Sequence, residues 1–178
     1  MRSQSRSTRM WSIMVASLCV LWFATPTSAI PLESWDKIFP NASARFKVLS
    51  EFGGEAVLDK NTGLVWEKAP NDVPFVWGGA TRFCADRIVG GQKGWRLPAF
   101  PELSSLIDPS VAAPGPLLPP GHPFLRVQSA AYWSASTAAE GPQFAWNVFF
   151  DFGNVFATSK ILSLNVWCVR GPMQESVY

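Results

Sequence analysis

The chain has 178 residues, of which 48% are apolar, 13% aromatic and 16% charged, with 15 Pro, 13 Gly and a formal net charge of +2. This composition excludes intrinsic disorder, a collagen-like repeat and a coiled coil. Three of the basic residues, Arg2, Arg6 and Arg9, lie at the extreme N-terminus, and without residues 1–29 the balance becomes 12 basic against 13 acidic side chains. The basic character therefore sits in that segment, and no nucleic-acid partner is expected.

Arg2, Arg6 and Arg9 precede an apolar run from Trp11 to Ala24 and then Thr25-Pro26-Thr27-Ser28-Ala29. This is the layout of a secretory signal peptide, residues 1–29, with small residues at Thr27 and Ala29. The protein is expected to be exported, to the periplasm or outside the cell. Membrane contact would come only through the N-terminal segment if it stayed uncleaved, and an apolar run this short falls below the roughly 20 residues that span a bilayer. Export leaves two cysteines, Cys84 and Cys168, which in an oxidising compartment read as one disulfide. The alternative, a redox or copper-binding pair, would call for flanking His or a close Cys spacing, and neither is present.

Residues 30–42, with Pro31 and Pro40 and no sustained period, read as an arm leading into a single domain over 43–171, followed by a tail, 172–178. From Arg45 onward Phe46 and Val48 alternate, Phe52-Gly53-Gly54 turns, Ala56-Val57-Leu58 follows, Asn61-Thr62-Gly63 turns again and Leu64-Val65-Trp66 resumes. The pattern predicts a short antiparallel meander. Trp77, Ala80, Cys84 and Ile88 recur at spacings of three and four, which predicts an amphipathic helix stopped by Gly90-Gly91, with Cys84 on its buried stripe. A shorter helix is predicted from Pro101 to Ile107, ended by Asp108-Pro109.

The stretch from Pro109 to Pro123 holds six prolines and two glycines, a composition of an ordered surface loop that serves as a spacer or a binding rim. Beyond it, Tyr132 to Ser136, Phe144 to Phe152, Val155 to Ser159 and Asn165 to Arg170 read as strands, the last carrying Cys168. Strands, two helices, then strands make the fold class α+β.

Several of these segments match one family in order. Asp59-Lys60-Asn61-Thr62-Gly63-Leu64-Val65-Trp66-Glu67, Trp77 to Cys84, Gly94-Trp95-Arg96-Leu97-Pro98 with Glu102-Leu103, Leu106-Ile107-Asp108, Tyr132-Trp133-Ser134, Ala145-Trp146 and Cys168-Val169-Arg170-Gly171 resemble the C-terminal domain family of the Legionella collagen-like adhesin. The resemblance runs from about Ser43 to Gly171. It implies a C-type lectin-like variant, with short antiparallel strands, two helices and a long Pro-rich loop, in which a helix cysteine is bridged to one on the last strand. In the adhesin the domain is linked to binding sulfated polysaccharides. The Trp-Arg-Leu-Pro run is also similar to the formylglycine-generating enzyme group. Family members often carry Thr or Ser after Leu-Pro, where this chain has Ala99. The calcium-binding Trp-Asn-Asp of the lectins is here Trp146-Asn147-Val148, so calcium-dependent sugar binding is not implied.

No catalytic residue, metal site or cofactor is expected. His122, the one histidine, stands in Gly121-His122-Pro123 without a nucleophile elbow or metal-ligand spacing. Most of the tryptophans downstream of the leader, at 35, 66, 77, 95, 133, 146 and 167, are expected in the core. Arg96 and Arg170 either hold an anionic ligand or anchor buried carbonyls. On the strand from Phe144 to Phe152, one face carries Trp146, Val148 and Phe150 toward the core. The other would present Asn147, Phe149 and Asp151, which with Arg96 form the candidate ligand contacts, walled by the Pro-rich loop. The expected protein is a non-catalytic binding module of the bacterial envelope recognising a glycan, including a sulfated one, or an envelope protein. The alternatives are an envelope enzyme related to the formylglycine-generating group and a purely structural envelope component.

Overall fold

A computed structural model describes residues 41–171, and the leader, nearly all of the arm and the tail lie outside these residues. The fold is α+β, as expected. A four-stranded sheet has the order β1 (Phe46–Leu49), β2 (Ala56–Asp59), β3 (Val65–Glu67), β9 (Val169–Arg170), and a five-stranded sheet the order β4 (Asn71–Val76), β8 (Ser163–Val166), β5 (Ala131–Thr137), β6 (Phe144–Phe149), β7 (Val155–Ser159). The helices are α1 (Ala42–Arg45), α2 (Trp77–Asp86) and α3 (Phe100–Ser104). None of the described helices is long and apolar enough to cross a membrane.

The first three strands follow the predicted meander. The turns between them need left-handed backbone, at φ 62° and 79° for Gly53 and Gly54 and 70° for Gly63, which glycine adopts without a Cβ penalty. α2 lays Ala80 and Cys84 into the core and ends at Asp86, before Gly90-Gly91. The second helix starts one residue earlier than predicted and is shorter. Ala99 has no side-chain oxygen to cap it, so the Glu102 carboxylate accepts from the Ala99 N–H at 2.8 Å, and the Ser136 hydroxyl accepts from the Phe100 N–H at 3.3 Å.

Asn71–Val76, to which the sequence pattern assigns no element, forms an edge strand whose register breaks between Asn71 and Phe75, which is where Pro74 is tolerated. The strand predicted over Asn165 to Arg170 is two strands. The chain leaves the five-stranded sheet after Val166, and Trp167 and Cys168 carry it across to β9 in the other sheet. Cys168 thus lies between strands rather than on one. Glu67 serves this crossing: its backbone exchanges hydrogen bonds with Cys168 O and the Trp167 indole N–H, and its carboxylate accepts from the Cys168 N–H at 3.1 Å.

The Pro-rich segment is an ordered loop that sends part of its length into the core and leaves the rest exposed. Leu117, Leu118 and Pro119 are buried, and Leu117 N–H donates to Phe150 O at 2.8 Å while Gly115 N–H donates to Asp151 O at 2.9 Å. Leu118 joins Val148 and Phe150 in the core, and the bonds to Phe150 O and Asp151 O hold the loop against the end of β6.

One core cluster joins the two sheets around Trp167, whose ring meets Trp66, Phe124, Tyr132 and Phe150 at centroid distances of 4.9 to 5.9 Å. A second lies under α2, with Ala80, Trp95, Leu97, Trp133, Ala145 and Val166 around the disulfide. Cys84 and Cys168 are bonded, with Cα atoms 5.4 Å apart and both side chains fully buried.

Candidate functional site

Asn147, Phe149 and Phe156 occupy one face of the β6–β7 hairpin. The Gly153-Asn154 turn sets a register that pairs Asn147 with Phe156 and Val148 with Val155. Asn147 is completely buried, contrary to the expectation that this face meets solvent. Its amide nitrogen donates to Phe156 O at 2.8 Å and to Thr158 Oγ1 at 2.7 Å, which ties β7 to β6, while its buried Oδ1 has no hydrogen-bond partner among the described residues. Phe149 is half-buried, and its ring stands edge-on to Phe156 at 5.6 Å and 88°. Phe156 is 52% exposed and Phe152, in the turn, 61%. Asp151 is half-buried with Oδ1 accepting from the Phe152 N–H at 2.9 Å, which leaves Oδ2 for another donor. The face therefore offers aromatic rings with one carboxylate at its tip.

Arg96 is committed elsewhere, in the four-stranded sheet. Its backbone exchanges hydrogen bonds with Val169 at 2.8 and 2.9 Å, and its guanidinium grips Glu102 bidentately at 2.7 Å while donating to Leu97 O and Gly171 O. This is the anchor of α3 to β9. Of the four residues expected to act together, the structure brings Phe149 and Asp151 to one end of a hairpin, buries Asn147 beneath, and places Arg96 in a different sheet.

Two features were not visible from sequence periodicity. Phe156 was read only as part of a strand; the hairpin register across Gly153-Asn154 is the signal that puts it beside Phe149. A second surface, an open concavity, is lined by Glu51, Phe52, Gly63, Gln92 and Arg170, with the Arg170 guanidinium 5.5 Å from the Phe52 ring centroid. Three separate turns build it, so no local pattern announces it.

His122 lies beside the Phe124 ring, and burial lowers its pKa. Among the described residues no three His, Cys, Asp or Glu side chains are grouped to hold a metal ion.

A family model described as the Lcl C-terminal domain matches residues 55–170, well over half of the chain. No curated protein matches the chain.

Proposed function

The chain belongs to the Lcl C-terminal domain family, and from that premise we propose that it is an exported, non-catalytic binding module of the bacterial surface, with a C-type lectin-like variant fold, that takes a glycan on the aromatic face of the β6–β7 hairpin. The observation that carries this reading is the pair Phe149 and Phe156, packed edge to face with the Phe156 ring half exposed. A ring fixed by a neighbour presents a flat apolar face at low entropic cost, which suits the C–H face of a sugar. Asp151 supplies an acceptor for hydroxyl groups at the same tip.

The enzyme alternative rested on reactive cysteines. Cys84 and Cys168 are bonded to each other and shielded from solvent, which favours the binding module.

Neutral and sulfated oligosaccharides arrayed on glass, probed with the protein and with Phe156→Ala, test the proposal. Binding by the wild type that falls about tenfold in the variant, with an unchanged melting temperature, supports it. No binding to any glycan, or equal binding by both proteins, overturns it.

A further inference from the structure

We propose that two copies of the chain join edge to edge through β7, making one continuous sheet across a twofold axis. A free strand edge exposes unpaired backbone groups, and natural sheets blunt such edges with charge, proline, irregular register or very short length. The four edges of this fold differ in that respect. β1 exposes Lys47. β4 carries Asp72 and Pro74 and a break in register. β9 is two residues long, and the Arg96 backbone closes its outer side through reciprocal bonds to Val169. β7 has none of these devices: Val155-Phe156-Ala157-Thr158-Ser159 is uncharged, lacks Pro and Gly, and pairs with β6 at all five positions without a shift.

The direction of its backbone groups follows from the ladder. Phe149 N–H donates to Asn154 O at 2.8 Å and Lys160 N–H to Gln143 O at 2.9 Å, at the two ends of the β6–β7 pairing. Antiparallel bonding alternates by two residues, so Asn147–Phe156 and Ala145–Thr158 are the bonded pairs between them. Val155, Ala157 and Ser159 therefore turn their N–H and C=O groups away from β6. Ser159 O takes the Leu162 N–H, and the Val155 and Ala157 groups point outward.

A second copy is the occupant that this edge fits best, because the strand is complementary to itself. Antiparallel pairing centred on Ala157 sets Ala157 against its own image, Phe156 against Thr158 and Val155 against Ser159, a larger side chain opposite a smaller one on either side of the axis. With Ser159 O held by Leu162, about four backbone hydrogen bonds would form, from the Ala157 and Ser159 N–H groups of each copy. No charge opposes a like charge across the join. The twofold axis stands normal to the sheet, so the Phe156 rings of both copies emerge on the same side.

Sedimentation equilibrium of the full chain tests this, alongside Ala157→Lys, which sets two cations face to face, and Ala157→Pro, which deletes the central donor at a position that makes no bond to β6. The expected result is reversible association to twice the mass of one chain, weakened about 100-fold or more in both variants, whose melting temperatures stay near that of the wild type. Amide exchange of Ala157 and Ser159 in the wild type reads the same edge without any substitution, and should slow as concentration rises. A wild type that stays monomeric, a dimer that survives both substitutions, or exchange independent of concentration overturns the proposal.

Discussion

Arg45 and Asp59 form a buried bidentate pair: Nε donates to Oδ1 at 2.9 Å and Nη2 to Oδ2 at 2.7 Å, with Asp59 fully enclosed and Arg45 nearly so. Arg45 Nη2 also donates to Ser105 O at 2.7 Å, so one guanidinium links the start of β1, the end of β2 and the turn after α3. Removing one partner leaves an uncompensated charge in the interior. Asp59→Ala should lower stability by about 3 to 5 kcal/mol in urea unfolding, and replacing both partners with apolar residues of similar volume should cost less.

The disulfide closes a sequence separation of 84 residues. Constraining an unfolded loop of that length contributes on the order of 4 kcal/mol in the chain-entropy model. The Cys84→Ala/Cys168→Ala double variant should lose stability on that scale in urea unfolding and keep the native far-ultraviolet circular dichroism below its transition.

Gly90 and Gly53 both have positive φ, 54° and 62°, yet the spaces around them differ. A Cβ on Gly90 would lie 2.1 Å from Phe52 O, whereas one on Gly53 would meet nothing within 4 Å. Gly53→Ala should cost about 1 to 2 kcal/mol, the left-handed penalty alone. Gly90→Ala adds a backbone clash and should lower the melting temperature several times as much, or prevent folding.

Burial raises the pKa of Glu67 above 4.5, against the opposing bond from Arg87 and the Cys168 N–H. Between 4.5 and the higher folded value the native state binds more protons than the unfolded one. The contribution of Glu67 to stability is thus fully present below 4.5 and declines as pH rises through its folded pKa. Urea unfolding across that window should show a downward slope that is absent in Glu67→Gln, so the stability of the variant rises relative to the wild type as pH increases. A carbon-detected titration of the Glu67 carboxyl should place its midpoint above 4.5.

How much of this was legible in the sequence depended on whether the controlling interaction was local. The β1–β3 meander and α2 were, because glycine turns and a three-four spacing are written in adjacent residues. The cysteine pairing was as well, since Cys84 and Cys168 are the two cysteines after residue 29. The crossing at Trp167–Cys168 was not: the apolar run Val166-Trp167-Cys168-Val169 continues through it, and the break is made by Glu67, a hundred residues earlier. The surroundings of the candidate site residues were only partly legible, for a related reason. Alternation correctly separated Val148 and Phe150 from Asn147 and Phe149, but periodicity says nothing of what covers each face, and here both are covered at the centre. The Asn147 amide N–H groups find their acceptors on β7, and the loop bonds the backbone of Phe150 and Asp151 at the end of the strand.

The pairing of β3 with β9 has a consequence for the order of events during synthesis. Trp66 lies opposite Val169, so the sheet begun by the earliest described residues receives its fourth strand only from the latest. Until residue 170 has been made, β3 keeps a bare edge, Trp66 lacks the ring of Trp167, and Cys84 lacks its partner Cys168. A polypeptide halted short of that point holds nearly all of its strands and helices yet cannot close its centre. Closure of this core therefore waits for residue 170, and it should be slow, since the contacts that conclude it join residues about a hundred positions apart.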